Sequence, residues 1–379
     1  MKRAFSVIKD YLKTSDMLLL TLSVLTSVYG VFIIYSATRT YETNQYVVTQ
    51  IAAIIVGIVL FIILSVIDIE IITEKWVVLL LFNILAVSTL FIWGVEGGTG
   101  NKSWLRFLGT GIQPTEIVKV TFVVLLAKQL KSRKESRGGL NSVASMMMLL
   151  LHFGLMFMLI IVSSSDLGSA LVFAVIFTGT LFAAGISFVW FFLGIVIIGA
   201  VSPLVWNSLL TDYQRERILA PYFPETVDPS GLGITWQANQ SKIALASGQL
   251  TGQGYMQGTQ SQSSNLPFKH TDFIFSVAGE ELGMIGCAVI IFLLVAIIIR
   301  CIYVGVKSKS YMNMLICTGI ASMLIFQTFE NIGMCIGITP VIGITLPFFS
   351  YGGSSIVTTF ASLGIVSGIR MRPNLVSRR

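Results

Sequence analysis

Ten apolar segments, spread along almost the whole chain of 379 residues, constrain this sequence more than any other feature. A helix that crosses a bilayer needs about 20 mainly apolar residues, and each segment is close to that length. A lone strand cannot satisfy its backbone in lipid, so every segment is predicted to be a helix. The segments are 17–35, 47–66, 76–93, 112–129, 145–162, 167–184, 187–207, 273–299, 312–333 and 354–370.

The composition agrees with a membrane protein. Hydrophobic residues make up 54% of the chain and charged residues 11%, whereas about 25% of the residues in soluble domains are charged. The net charge is +7, but the basic residues lie in short loops between apolar segments, which argues against a nucleic-acid partner. Only two histidines occur, and the four cysteines have no metal-ligand spacing. The sequence therefore argues against a metal site built from His or Cys.

The basic residues also predict the topology. With the N-terminus in the cytoplasm, 17 Lys and Arg residues fall in inside segments and 7 in outside segments. Because short cytoplasmic loops carry the excess of Lys and Arg, both termini are predicted to be cytoplasmic. The chain 1–379 is then a single polytopic, all-α integral membrane domain with ten transmembrane helices. One large extracellular loop, 208–272, joins helices 7 and 8, and short helices are expected in it. A second outer connection, 333–353, contains Pro and Gly and is expected to be irregular.

Asp272 stands where the large loop meets the eighth apolar segment. A carboxylate at a membrane edge is costly and is a functional candidate. Alternatively, Thr271 or Asp272 caps the helix by accepting hydrogen bonds from backbone N–H groups. The residues alone leave both interpretations open. As a residue that begins the eighth helix, Asp272 is expected to stay ionised, since a helix N-terminus favours negative charge.

Glu116 and Lys119 lie three residues apart near the start of the fourth helix, just after Pro114, and therefore share a face. Charged groups at membrane depth face a bundle interior or a wet cavity. The pair is either a substrate contact or a mutually neutralising structural pair.

Several basic residues lie in or near the large loop and are candidate contacts for an anionic substrate. These are Arg215, Arg217, Lys242, Lys269 and His270. The alternative is that the loop arginines pair with nearby acids and only order the loop, since exposed charges are usually just solvated. The acids considered are Glu216, Glu225 and Asp228.

The sequence resembles the SEDS family (shape, elongation, division and sporulation) over essentially its whole length. The strongest stretch is His270-Thr271-Asp272-Phe273-Ile274-Phe275, followed by Gly279-Glu280-Glu281-Leu282-Gly283. Further matching stretches are Ile34-Tyr35-Ser36-Ala37, Lys102-Ser103-Trp104, Gln113 to Lys119, Tyr213 to Ile218, Gln240 to Ala244, Gly258-Thr259-Gln260-Ser261 and Pro347 to Ser355. No single stretch is decisive, but their ordered set is specific.

The resemblance implies a peptidoglycan glycosyltransferase of the cell membrane that polymerises lipid II on the outer face. It implies a class B penicillin-binding protein as partner, and a cavity lined by Glu116 and Lys119. In such a transfer a carboxylate base, here Asp272, removes the proton of the acceptor hydroxyl. The diphosphate leaving group needs Lys, Arg or a divalent cation, so a divalent cation is the one cofactor for which the chemistry leaves room. Within the family, the RodA-like elongation branch is favoured over FtsW-like division or sporulation members.

Two other function classes remain as alternatives. A lipid II flippase also has many helices, buried ionisable residues and segments broken by Gly and Pro. A transporter needs ionisable residues along a path through both leaflets, whereas most polar residues here fall on the outer side. A scaffold that only docks a division or elongation partner does not explain the buried charges.

Overall fold

The structure is a computed structural model that describes residues 10–96, 101–107, 110–208 and 210–372, most of which are helical. Each of the ten predicted segments coincides with a long helix, and we number these helices in chain order. They are α1 Met17–Thr38, α2 Gln45–Val66, α3 Trp76–Trp93, α4 Pro114–Glu135, α5 Val143–Ser164, α6 Leu167–Ala183, α7 Phe188–Ser208, α8 Ile274–Lys307, α9 Tyr311–Ile336 and α10 Gly353–Met371.

Short elements occupy several of the connections. A 3₁₀ turn, Arg39–Tyr41, follows α1, and the short helix Ile69–Glu74 precedes α3. The large loop contains three short helices, as predicted: Asp212–Leu219, Pro224–Val227 and Trp236–Gly248. An antiparallel hairpin of β1 (Leu105–Phe107) and β2 (Thr110–Ile112) lies before α4 and was not predicted.

Among the described residues, eight helices are long and apolar enough to cross a membrane. The prediction of an all-α, multi-pass membrane protein is therefore confirmed. The exceptions are α6, which has 17 residues, and α4, whose last turns carry several charges, including Arg133 and Lys134. The count of ten crossings, the sidedness of the large loop and the cytoplasmic termini stay predictions.

Glycines bring α2 and α10 into close contact. A Cβ atom at Gly57 would lie 2.8 Å from the ring of Phe360, and one at Gly364 would lie 2.7 Å from the backbone of Phe61. Small residues at such crossings let two backbones approach within a membrane. By contrast, α7 has no buried residue, and its contacts with the core come from Trp190 and Phe191 near its start.

The predicted eighth helix, 273–299, contains a break that the sequence did not indicate: α8 is interrupted at Gly283, where φ is 67°. The break leaves backbone N–H and carbonyl groups of α8 without partners inside the helix. Residues of the large loop around Gln249 and Gln253 act as partners instead. Gln253 donates its N–H to the Glu280 carbonyl at 2.9 Å, and Met284 donates its N–H to the Gln249 carbonyl at 2.9 Å. Irregular backbone is tolerated near membrane depth only when protein groups satisfy it in this way.

Residues 337–352 connect α9 to α10 without regular structure, and we call this segment the strap. Most of its residues from Ile344 to Ser350 are buried. Gln50 on α2 holds one end through its side-chain amide, which donates to the Ser350 carbonyl and accepts from the Gly352 N–H, both at 3.2 Å. The strap is therefore the irregular connection that the sequence predicts within 333–353, and most of its second half is shielded by protein.

Candidate functional site

Asp272 precedes α8 rather than beginning it. The helix starts at Ile274, the N-cap residue is Phe273, and no side chain caps this end. Neither Thr271 nor Asp272 is therefore the helix cap that the sequence allowed. The Asp272 side chain is partly exposed, and its carboxylate is not used to hold the helix.

The backbone around Asp272 is held at three successive carbonyls. The His270 carbonyl accepts from the Tyr351 N–H at 2.8 Å, and the Thr271 carbonyl accepts from the Ser350 hydroxyl at 2.6 Å. The Asp272 carbonyl accepts from the Asn331 side-chain amide at 2.8 Å. Two of these donors lie on the strap and the third on α9. A group whose backbone is fixed while its carboxylate stays available is suited to act on a ligand.

Burial raises the pKa of the Asp272 carboxyl to about 6. The charge of Arg217 and the hydrogen bond with the Thr271 hydroxyl lower this pKa, whereas the charge of Asp166 raises it slightly. The sequence predicted that a helix N-terminus keeps this group ionised, but Asp272 lies outside the helix, and burial shifts its pKa upward instead. A carboxylate with a pKa near 6 is still mostly ionised at pH 7 and is a stronger base than an ordinary aspartate.

Arg217 is the cation that the structure brings to this carboxylate. Its guanidinium donates to the Val341 carbonyl on the strap and interacts electrostatically with Asp272. Gly343 follows Val341 by two residues on the strap, and a Cβ atom at Gly343 would lie 3.6 Å from Oδ2 of Asp272. The carboxylate thus lies close to the strap, within the electrostatic influence of Arg217.

Arg215 and Lys269 were predicted to contact the substrate, but their side chains form hydrogen bonds with other parts of the protein. Arg215 donates to the carbonyls of Trp206 and Asn207 at the end of α7 and forms an ion pair with Asp212 at 3.0 Å. Arg215 thus caps a helix, and neither loop arginine pairs with Glu216, Glu225 or Asp228 as the alternative proposed.

Lys269 is 2% exposed, and its ammonium makes three hydrogen bonds. It donates to the carbonyl oxygens of Ser261 at 2.5 Å and Ser263 at 3.0 Å, and to the hydroxyl of Thr40 at 2.9 Å. Burial lowers the pKa of Lys269, although Glu281 and Glu280 oppose the shift. Because every N–H of the ammonium has a protein acceptor, Lys269 holds the loop and is not placed to bind substrate.

His270 lies in a group of aromatic rings at the mouth of the site. Its ring centroid is 4.8 Å from that of Tyr46, 5.5 Å from that of Tyr41 and 5.7 Å from that of Tyr351. Burial, with Lys269 next to it, lowers the pKa of His270 to about 4. The imidazole is therefore neutral at pH 7, so it is not the cation that the sequence suggested. Its buried Nδ1 has no hydrogen-bond partner within the part of the chain that the structure describes.

Glu116 and Lys119 form the predicted pair, with 2.7 Å between Nζ and Oε1, and both are almost fully buried. The Thr358 hydroxyl on α10 lies 3.4 Å from the other carboxylate oxygen. Among the described residues, Glu116 is the one acceptor that the Lys119 ammonium contacts. Two of its three N–H groups therefore remain for a ligand.

Asp166 is a buried carboxylate to which the sequence analysis gave no role. It caps α6 by accepting from the Ser169 N–H at 2.9 Å, and it also accepts from the Ser103 hydroxyl at 3.1 Å and the Gln113 amide at 3.3 Å. Because Gln113 directly precedes α4, Asp166 is bound to the start of the helix that carries the Glu116–Lys119 pair, and its charge also acts on Asp272. The sequence signal was an Asp placed immediately before an apolar helix, which is a common N-cap pattern.

Glu280 and Glu281 hold the large loop against α8. Glu280 accepts from the N–H groups of Gln260 and Ser261, both at 2.7 Å, and Glu281 accepts from the Ser36 hydroxyl at 2.6 Å and the Gln262 amide at 2.8 Å. The Gly258-to-Ser261 stretch is thus a turn that wraps these carboxylates. Within the described ranges, no group of three or more His, Cys, Asp or Glu residues is arranged to hold a metal ion.

The fold and the site together define a multi-pass α-helical membrane protein with an acidic and basic centre where a large loop and the strap meet the helices. The family model described as cell cycle protein, named after FtsW, RodA and SpoVE, matches residues 16–374. The chain therefore belongs to this family, which confirms the resemblance seen in the sequence.

Relatives and a solved structure match over nearly the full length. The chain is 32% identical to "Peptidoglycan glycosyltransferase MrdB" of Escherichia coli K12, covering 96% of this chain and 94% of the relative. It is 33% identical to "Probable peptidoglycan glycosyltransferase FtsW" of Geobacter metallireducens, covering 94% and 95%. The structural match has a TM-score of 0.78 at 26% identity and covers 94% of this chain and 98% of the other. That chain comes from a study titled "Structural coordination of polymerization and crosslinking by a peptidoglycan synthase complex".

Proposed function

We propose that this chain is a peptidoglycan glycosyltransferase that polymerises lipid II, with Asp272 as the general base for the acceptor hydroxyl. The observation that carries the proposal is the carboxylate of Asp272, which is free of any capping role while its backbone is held at three carbonyls. The curated relatives named above are glycosyltransferases by name, which supports the same chemistry.

In the proposed reaction, Asp272 accepts the proton as the sugar hydroxyl attacks the anomeric carbon of the lipid-linked sugar. The bond to the diphosphate breaks, and the leaving diphosphate carries the negative charge away. Arg217 lies beside Asp272, and the Lys119 ammonium keeps two N–H groups for a ligand, so these cations stabilise that charge. Glu116 orients Lys119.

The function is tested with purified protein, lipid II and a gel that separates glycan polymers. We expect polymer from this chain, and more of it when a class B penicillin-binding protein is co-purified. The sequence has no Ser-x-x-Lys motif followed by Lys-Thr-Gly, so crosslinking should require that partner. Translocation of lipid II across vesicles without any polymer would favour the flippase. Full activity and crosslinking from this chain alone would contradict the need for a partner.

We place the active site on the outer face of the cell membrane, with both termini in the cytoplasm. A cysteine introduced at Ser230, an exposed residue of the large loop, tests this topology. The four native cysteines are buried and are replaced for the experiment. We expect labelling by an impermeant reagent in intact cells whose outer membrane, if present, has been permeabilised. Labelling only after lysis would overturn the topology.

The elongation role, RodA-like rather than FtsW-like or sporulation-specific, is also a proposal. Sequence identity to relatives carrying the MrdB and FtsW names is nearly equal, at 32% and 33%. The chemistry derived for Asp272 is the same in each case.

A further inference from the structure

The large loop and the strap enclose a cavity of which the proposed chemistry uses only one wall residue, Arg217. Its volume is about 380 Å³, within the range of roughly 300–1,000 Å³ that is common for ligand sites. Its walls come from the helix Asp212–Leu219, the start of the helix Trp236–Gly248 and the first residues of the strap. The lining residues that matter here are Arg217, Trp236, Asn239, Lys242, Thr339 and Val341.

Lys242 brings an available positive charge to this cavity. Its side chain is exposed, and none of the described residues forms a hydrogen bond or ion pair with its ammonium. The stem of the side chain lies over Gly337, where a Cβ atom would come within 3.1 Å of Cδ of Lys242. Gly337 has a φ of +80°, a conformation that glycine adopts without strain. The strap thus leaves room for the lysine stem beside the cavity.

The other charges of the lining also favour an anion. Arg217 is fixed at the wall by its hydrogen bond to the Val341 carbonyl. Glu216 is the one acid among the lining residues, against the two cations Arg217 and Lys242. Trp236, Asn239 and Thr339 add an aromatic surface and neutral hydrogen-bonding groups. An elongated ligand with at least one carboxylate fits this mixture better than a hydrocarbon does.

The position of the cavity decides which part of a lipid-linked substrate can reach it. Arg217 and Val341 line the cavity and also belong to the surroundings of Asp272, so the two sites share a wall. The cavity lies between the large loop and the strap, next to the C-terminal end of α9, where the strap begins. The hydrocarbon of a lipid-linked disaccharide stays in the bilayer and its diphosphate stays at the surface, whereas its peptide extends furthest outward.

We propose that this cavity binds the peptide of the lipid-linked substrate, with a peptide carboxylate held by Lys242. The proposal rests on the proposed function. It adds a binding site for the peptide, which is the part of the substrate that glycosyl transfer leaves unchanged. Lys242 is then a binding residue for the peptide, whereas Arg217 and Lys119 stabilise the diphosphate.

Equilibrium binding tests this with two ligands that share the same lipid, diphosphate and sugars. One is lipid II with free peptide carboxylates, and in the other these carboxylates are converted to amides. Dissociation constants are measured on the Asp272→Asn background, so that the ligand is not consumed. Adding Lys242→Met, which keeps the aliphatic stem, should weaken binding of free-carboxylate lipid II about tenfold or more, since hydrogen bonds to charged groups are among the stronger ones. Binding of the amidated ligand should not change.

Two control variants complete the design. Lys242→Arg keeps the charge and should retain most of the affinity. Arg106→Met removes one positive charge from an exposed position outside the cavity and should change neither dissociation constant. An equal loss for both ligands in Lys242→Met would show that the lysine meets the diphosphate, and no loss for either would show that the cavity does not bind the peptide. Failure of the parent to polymerise lipid II would instead refute the proposed function, because the binding comparison does not depend on turnover.

Discussion

Asp272→Asn is expected to abolish polymerisation of lipid II while leaving the fold intact. An amide cannot accept the proton of the acceptor hydroxyl, and the loss of a general base typically costs about 10²–10⁴-fold in rate. The fold should survive because strap and α9 residues hold Asp272 through carbonyls of the backbone, which the substitution leaves in place. The variant should be expressed normally, bind its partner and give almost no polymer on the gel.

Asn at position 272 also distinguishes the catalytic role from a structural one. The Asp272 side chain does not cap α8, and Asn is close to Asp in size, so the substitution removes no cap. A thermal unfolding curve that matches the parent, together with absent polymer, would assign the effect to chemistry. Near-parent polymerisation by the variant would place the active site elsewhere.

The second large effect is expected at the Glu116–Lys119 pair. Lys119→Met leaves the Glu116 carboxylate buried without its partner, and breaking a buried pair in this way costs about 3–5 kcal/mol. The side chains are only 9% and 3% exposed, so water cannot replace the lost ammonium. We expect a marked fall in thermal stability of the purified protein in detergent, together with loss of activity.

The double variant Lys119→Met with Glu116→Gln separates stability from function. It removes both charges at similar volume, so the thermal stability should return to near that of the parent. If Lys119 binds the diphosphate, polymerisation should remain low although the protein is folded. A folded double variant with full polymerase activity would show that the pair is structural.

The helices were predictable from the sequence because a long apolar segment satisfies its backbone hydrogen bonds in lipid by forming a helix. The ends of α3, for example, agree with the predicted 76–93. The break of α8 at Gly283 was not predictable, since it depends on pairing with the loop around Gln249 and Gln253. Apolar residues lie both before and after Gly283, so the hydropathy of α8 does not indicate where the helix breaks.

The site was predictable in part. Asp272 and the Glu116–Lys119 pair stood out because ionisable residues are rare near membrane depth. The roles of Arg215 and Lys269 did not follow from the sequence, because their carbonyl acceptors come from the backbone, which any residue supplies. The raised pKa of Asp272 likewise depends on burial by the strap, more than 60 residues away in the chain, as the hydrogen bond from Ser350 to Thr271 illustrates.

The claim that Asp272 acts as the base is tested most directly by the pH dependence of the polymerisation rate. Its pKa near 6 means that the carboxylate is ionised above this pH and protonated below it, and only the ionised form accepts a proton. With lipid II well below its KM, where the rate reports the pKa of the free enzyme, the rate of the parent should be level near pH 7–8 and fall about tenfold for each pH unit below about 6. The residual rate of Asp272→Asn should not show this fall, and unfolding curves over the same range serve as the control. A parent rate that stays constant from pH 7 to pH 5, or a fall of equal size in Asp272→Asn, would contradict the assignment.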